Sequence, residues 1–205
     1  MPVVVLALAA AALASQPNPA KLILKPSAVG PGYQIALGPG GLGAKERTLD
    51  LCGTTNYPSE ALRTARIQVD YGKPHGTLAL SNEVVVYKDS GAAQAMREVA
   101  QHAKTCPAKP IAFEGQPPLR YKITQIIDSS LLSGSLAFRI DVSGKVNGKP
   151  VHVIRFAIYQ RAGNVLSGVY SYAVSTVSIA TQQRFALHAA EASAKVLRPS
   201  SGLPA

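Results

Sequence analysis

The sequence predicts an α+β fold, an antiparallel β-sheet with helices packed on one face, as a single domain with one disulfide. Three observations predict it. Two segments, Ser90 to about Lys104 and Thr176 to Leu197, space apolar residues at helical intervals. Several segments rich in β-branched and aromatic residues are separated by short turn signals, the pattern of an antiparallel meander. The 205 residues, 47% of them hydrophobic, suit one core.

The elements follow in chain order. Residues 1–14 read as a signal peptide: Val3 to Ala14 is an uncharged apolar run ending in Ala12-Leu13-Ala14, the small-x-small pattern that signal peptidase cuts. Its lack of a Lys/Arg start indicates a clipped or atypical leader, and its length is short of a transmembrane span. Residues 15–21 read as linker, 22–198 as the domain and 199–205 as a Pro/Ser/Gly tail. Ser27 to Gly43 is Gly/Pro-rich loop with a brief extended piece at Tyr33 to Leu37. A short strand is expected at Thr48 to Cys52, then one helical turn capped by Ser59. Ala65 to Tyr71 and Thr77 to Lys88 form a hairpin about Gly72-Lys73-Pro74-His75-Gly76.

In the first long helix Ala92, Met96, Val99, Ala100 and Ala103 share a face, and Cys106-Pro107 ends it. Strands at Arg120–Ile127, Leu136–Val146, Val151–Gln160 and Val165–Val174 come next. Asn147-Gly148 is a type I′ hairpin signal, because both central positions need positive φ, and Ala162-Gly163-Asn164 makes the next reversal. In the last helix Phe185, Ala189, Ala192 and Val196 line one face with Ala190, Ala194 and Leu197 beside them.

Cys52 and Cys106 stand alone, outside any CxxC or zinc-ligand spacing. With an export leader they read as a disulfide, which would stabilise the fold by about 4 kcal/mol in the chain-entropy picture. Two thiols in a cytosolic protein are the alternative. The net charge of +10 raises the question of nucleic acid, but no recognition helix or base-stacking motif accompanies it, so none is expected as a partner. An anionic envelope component, a small ligand or an envelope protein fits better. Alternation along the strands points Phe138, Ile140 and Val142, and Ile154, Phe156 and Ile158, toward the core, with Arg139 and Arg155 outward. Arg120, Lys122, Arg139 and Arg155 would then form a basic sheet face able to hold a phosphate or carboxylate. The competing reading is a solvated face whose arginine stems cover apolar surface.

Catalytic motifs fail on context. Gly38-Pro39-Gly40-Gly41-Leu42-Gly43 fits GxGxxG literally but has no strand–helix frame around it and reads as a surface loop. Ser133-Gly134-Ser135 is no nucleophile elbow, and His75, His102, His152 and His188 sit in unrelated contexts. No catalytic residue, metal site or cofactor is assigned.

Leu24-Lys25-Pro26-Ser27-Ala28-Val29-Gly30-Pro31-Gly32-Tyr33, Leu51-Cys52 with Tyr57-Pro58-Ser59-Glu60, Ser81-Asn82-Glu83-Val84-Val85 and the helix closing on Cys106-Pro107 resemble the actinobacterial extracytoplasmic sensor-domain proteins, similar to the extracellular domain of the mycobacterial kinase PknH. The resemblance spans about Leu22 to Leu197. It implies an α+β sandwich, a structural disulfide at Cys52 and Cys106, and sensing of a ligand or partner at the cell envelope. It supplies no catalytic motif. The expected function is thus a secreted, non-enzymatic binding domain. The rivals are a hydrolase or transferase with its site in the cavity between helices and sheet, and a subunit that only docks on another envelope protein.

Overall fold

The computed structural model describes residues 16–40, 49, 51–52, 57–106, 110–111, 117–173 and 176–198, without the side chains of 38–40. Seven strands form one antiparallel sheet in the order β1-β2-β3-β7-β6-β5-β4. They are β1 (Gln34–Gly40), β2 (Arg63–Gly72), β3 (Leu78–Tyr87), β4 (Leu119–Ile126), β5 (Leu136–Val146), β6 (Lys149–Ala162) and β7 (Val165–Ala173). The helices are α1 (Pro26–Val29), α2 (Gly91–Thr105) and α3 (Ile179–Leu197). Two meanders, β1–β3 and β4–β7, meet where β3 pairs β7 along its whole length.

Local chemistry explains the turns. Asn147 and Gly148 both have positive φ, 50° and 76°, as a type I′ hairpin requires. Gly91 opens α2 because a Cβ there would lie 2.8 Å from both Leu62 Cβ and Tyr87 Cβ. Ser178 caps α3 by accepting a hydrogen bond from Thr181 N–H at 3.1 Å.

The α+β class and the antiparallel sheet are as expected, but the helices divide between the two faces instead of sharing one. α3 packs with Leu80, Val84, Val86, Phe156, Ile158 and Val169. α2 packs with Val85, Tyr87, Phe138, Ala157, Tyr159 and Leu166 on the other side. Successive residues of β3 therefore serve opposite cores, so the run Val84 to Tyr87 is wholly buried. The α3 seam is pinned by polar contacts as well. Gln160 Nε2 donates to Ala190 O at 2.7 Å, Gln182 Nε2 to Ile154 O at 2.9 Å, and Ser167 pairs with Ser193.

Four smaller expectations change. The extended piece near Tyr33 is a full edge strand that pairs β2 through two register shifts, and Gly38 to Gly40 belong to it. Ser59 caps nothing: Tyr57 holds the N-cap position of the 3-10 turn Pro58–Leu62, and Ser59 Oγ donates to Glu98 at 2.5 Å. Of the strand expected at Thr48 to Cys52, the described Leu51 and Cys52 form a bend. Residues 19–21, read as linker, make a 3-10 turn with Pro19 buried. The expected leader and tail lie outside the described residues.

Candidate functional site

Four cross-strand rows build a polar and aromatic field on the α2 face, beyond the helix. Glu83 lies opposite Gln68 and Gly168, and Gly168 opposite Tyr159. The next row holds Ser81, Tyr170 and Ala157, and the next Ala79, Tyr172, Arg155 and Ile140. Tyr121, on β4, completes the set in the row of Val142. Leu51, Tyr121, Ile140, Arg155, Tyr159, Tyr170 and Tyr172 enclose a cavity of about 70 Å³, room for a few waters or one small polar group.

A buried polar chain runs from this cavity into the sheet. Tyr170 Oη donates to Glu83 Oε2 at 2.9 Å, Arg66 Nε donates to Glu83 Oε1 at 2.5 Å, and Arg66 Nη2 donates to Gln68 Oε1 at 2.5 Å. Gly168 makes the chain possible. A Cβ at that position would sit 2.5 Å from Tyr170 Oη, so only a bare backbone lets the Tyr170 ring fold back toward Glu83. Burial pushes the Glu83 carboxyl up to about 7, against the Arg66 charge and hydrogen bond that pull it down. Burial likewise raises the Tyr170 phenol well above its ordinary range, so it stays a proton donor. On the same face Asp70, opposite Ser81, has a buried carboxylate oxygen with no hydrogen-bond partner. Arg155 stands over the Tyr172 ring at 5.6 Å, at the cavity rim.

The expected basic quartet splits. Directly paired residues share a face, so Arg120 with Ser143, Lys122 with Asp141 and Thr124 with Arg139 fall on the α3 face. Arg155 pairs with Ile140 and falls on the α2 face. Alternation along each strand holds, but Phe138, Ile140 and Val142 face α2 while Ile154, Phe156 and Ile158 face α3, a relation that only register sets. His152, one of the four histidines given no role from the sequence, takes the fourth place on the α3 face: its Nε2 lies 3.4 Å from Asp141 Oδ1, which also accepts from Arg139 Nη2 at 2.6 Å.

Cys52 and Cys106 stand side by side at the C-cap of α2, 2.7 Å apart, beyond the ~2.05 Å of a formed disulfide. The structure thus brings the cysteines together and does not show the bond. Cys52 Sγ lies 3.9 Å from the His102 carbonyl oxygen, and the His102 ring leans on Tyr57 at 4.4 Å. His75 occupies the β2–β3 turn with φ 56°. Ser135 Oγ donates to Leu132 O at 2.6 Å. Among the described residues no group of three or more His, Cys, Asp or Glu is placed to hold a metal ion, and no helix is long and apolar enough to cross a membrane.

Sequence signals for the cavity were present but unconnected. Tyr170 and Tyr172 alternate on one strand and Glu83 is the single acid in an apolar run; only the β3–β7 pairing joins them.

No family profile matches the sequence, and no curated protein matches it. Among solved structures, the extracellular domain of PknH from Mycobacterium tuberculosis superposes with a TM-score of 0.58 at 17% identity, covering 87% of this chain and 94% of that one. The chain shares the fold of the PknH extracellular domain. At this identity the likeness establishes architecture, and the resemblance noted in the sequence is upheld at that level.

Proposed function

We propose that the chain is an extracytoplasmic, non-enzymatic, sensor-like domain that binds a small polar ligand in the tyrosine-lined cavity of the α2 face. The observation that carries this reading is the chain Tyr170–Glu83–Arg66, which links the cavity wall to a buried ion pair. A ligand hydroxyl or carboxylate that engages Tyr170 competes directly with that chain, so occupancy is felt inside the sheet. The cavity side chains are phenols, a guanidinium and aliphatic groups, suited to hydrogen bonding and stacking and lacking a nucleophile beside a base. Export supplies the oxidising compartment in which the adjacent Cys52 and Cys106 close as a disulfide, fixing the bend that carries Leu51 to the cavity.

Native mass spectrometry of protein recovered from the exported fraction of its host tests the proposal. The expected result is a small-molecule adduct that survives native spray, disappears on denaturation and is absent from Tyr170→Phe, with a polypeptide mass two hydrogens below the dithiol form. A Tyr170→Phe protein that keeps the adduct unchanged would remove the cavity from the function. Hydrolysis or group transfer lost with the same substitution would replace binding with the enzymatic reading.

A further inference from the structure

The α3 face of the β4–β5 edge carries one cation in each of four successive rows. Lys145 lies opposite Pro150, Arg120 opposite Ser143, Lys122 opposite Asp141 and Arg139 opposite Thr124. Rows on one face of a strand recur at about 7 Å, so the ladder spans about 20 Å. Arg120, Lys122 and Lys145 are exposed. Asp141, the single acid in these rows, is already shared between Arg139 and His152.

We propose that this ladder binds a linear phosphodiester polymer lying along the strands, one phosphate per row. This surface is separate from the tyrosine cavity, which opens on the opposite face. The repeat argues for the polymer: an extended glycerol–phosphate chain repeats its charge on the order of 7 Å, from ordinary bond lengths, and each guanidinium or ammonium meets one phosphate by charge-assisted hydrogen bonds. The relief of the face argues against a bilayer. α3 covers β6 and β7 and begins in the row of Lys122, where Gln182 bonds Ile154 O. A helix stands about 10 Å above the sheet it covers, so a plane resting on α3 is held off Lys122 and Arg139. A thin chain reaches them along the step.

Fluorescence anisotropy of labelled poly(glycerol phosphate) against the full chain, over a salt series, tests this. Four phosphate contacts give a log–log salt slope of about −3, by analogy with single-stranded polyanions. Arg120→Gln with Lys122→Gln should weaken binding about tenfold at low salt and roughly halve the slope. Arg97→Gln with Lys104→Gln, exposed on α2 across the sheet, controls for net charge and should change neither the salt slope nor the fit of one chain per protein. The proposal is overturned if the control pair loses as much affinity as the ladder pair, if the ladder pair binds as the parent does, or if phosphatidylglycerol vesicles capture the parent through Arg120 and Lys122 while the polymer does not.

Discussion

The two faces of the sheet are covered by helices of similar length through different chemistry. Under α3 the contacts are small and neutral: alanines at 186, 189, 190 and 194 let the helix approach, and Gln160, Gln182 and Ser193 fasten it to backbone and hydroxyl partners. On the α2 face the apolar patch ends early, and a buried ion pair with its phenol partner occupies the remaining sheet. Neutral hydrogen bonds cost little to bury once satisfied, whereas a buried charge pair returns its desolvation cost only while both members stay in place. The part of the sheet under α3 is therefore held by neutral contacts alone, whereas the α2 face keeps a buried charge pair one hydrogen bond behind the cavity wall.

The largest effect that separates the faces is removal of half the ion pair. Glu83→Leu strands Arg66 and should cost about 3–5 kcal/mol, read as a lowered midpoint in urea at pH 8. A cost similar to that of an average surface substitution would mean Arg66 finds other solvation. Phe156→Ala, on the α3 face, should cost a comparable ~3–5 kcal/mol by cavity formation, without altering pH dependence. Gln182→Ala removes neutral bonds to Ile154 O and Ser171 O and should cost about 1–3 kcal/mol.

The pH profile sharpens the contrast. Glu83 holds its proton more tightly folded than unfolded, its pKa being raised from 4.5 to about 7. The folded state thus binds more protons between those values, and the stability this group contributes, full at acid pH, declines as pH rises toward about 7. Subtracting the profile of Glu83→Gln from that of the parent should isolate this decline, and a flat difference would place the carboxyl in an ordinary environment. The smallest expected change is loss of the α3 cap, where Ser178→Ala should cost about 1 kcal/mol in thermal unfolding.

Much of this architecture was legible in the sequence. Turn chemistry placed the β5–β6 and β6–β7 hairpins, because Asn147-Gly148 and Gly163 have few alternatives to positive φ. The edge strand β1 was hidden since Gly38-Pro39-Gly40 reads as loop and its neighbours Ile35 and Leu37 stay exposed, at 51% and 64%, leaving no buried alternation to find. That helices sit on both faces was signalled by the unbroken run Val84-Val85-Val86-Tyr87, since a strand wet on one face alternates instead. Of the candidate site, Arg120, Lys122 and Arg139 share a face as periodicity suggested. The separation of Arg155 and the meeting of Glu83, Arg66 and Tyr170 depend on register across distant strands, which local pattern does not encode.

The pairing of β3 with β7 also governs how the chain reaches this state. Leu78 meets Ala173 and Val86 meets Val165, so the most apolar strand waits for a partner made long after it. Until β7 is synthesised, the first meander presents an open hydrophobic edge of the kind that recruits other chains. Such distant contacts slow folding. A polypeptide exported before folding would cross its membrane with this edge unmade, and a holdase that shields residues 78–87 during transit should raise the yield of native protein more than one acting on any other segment.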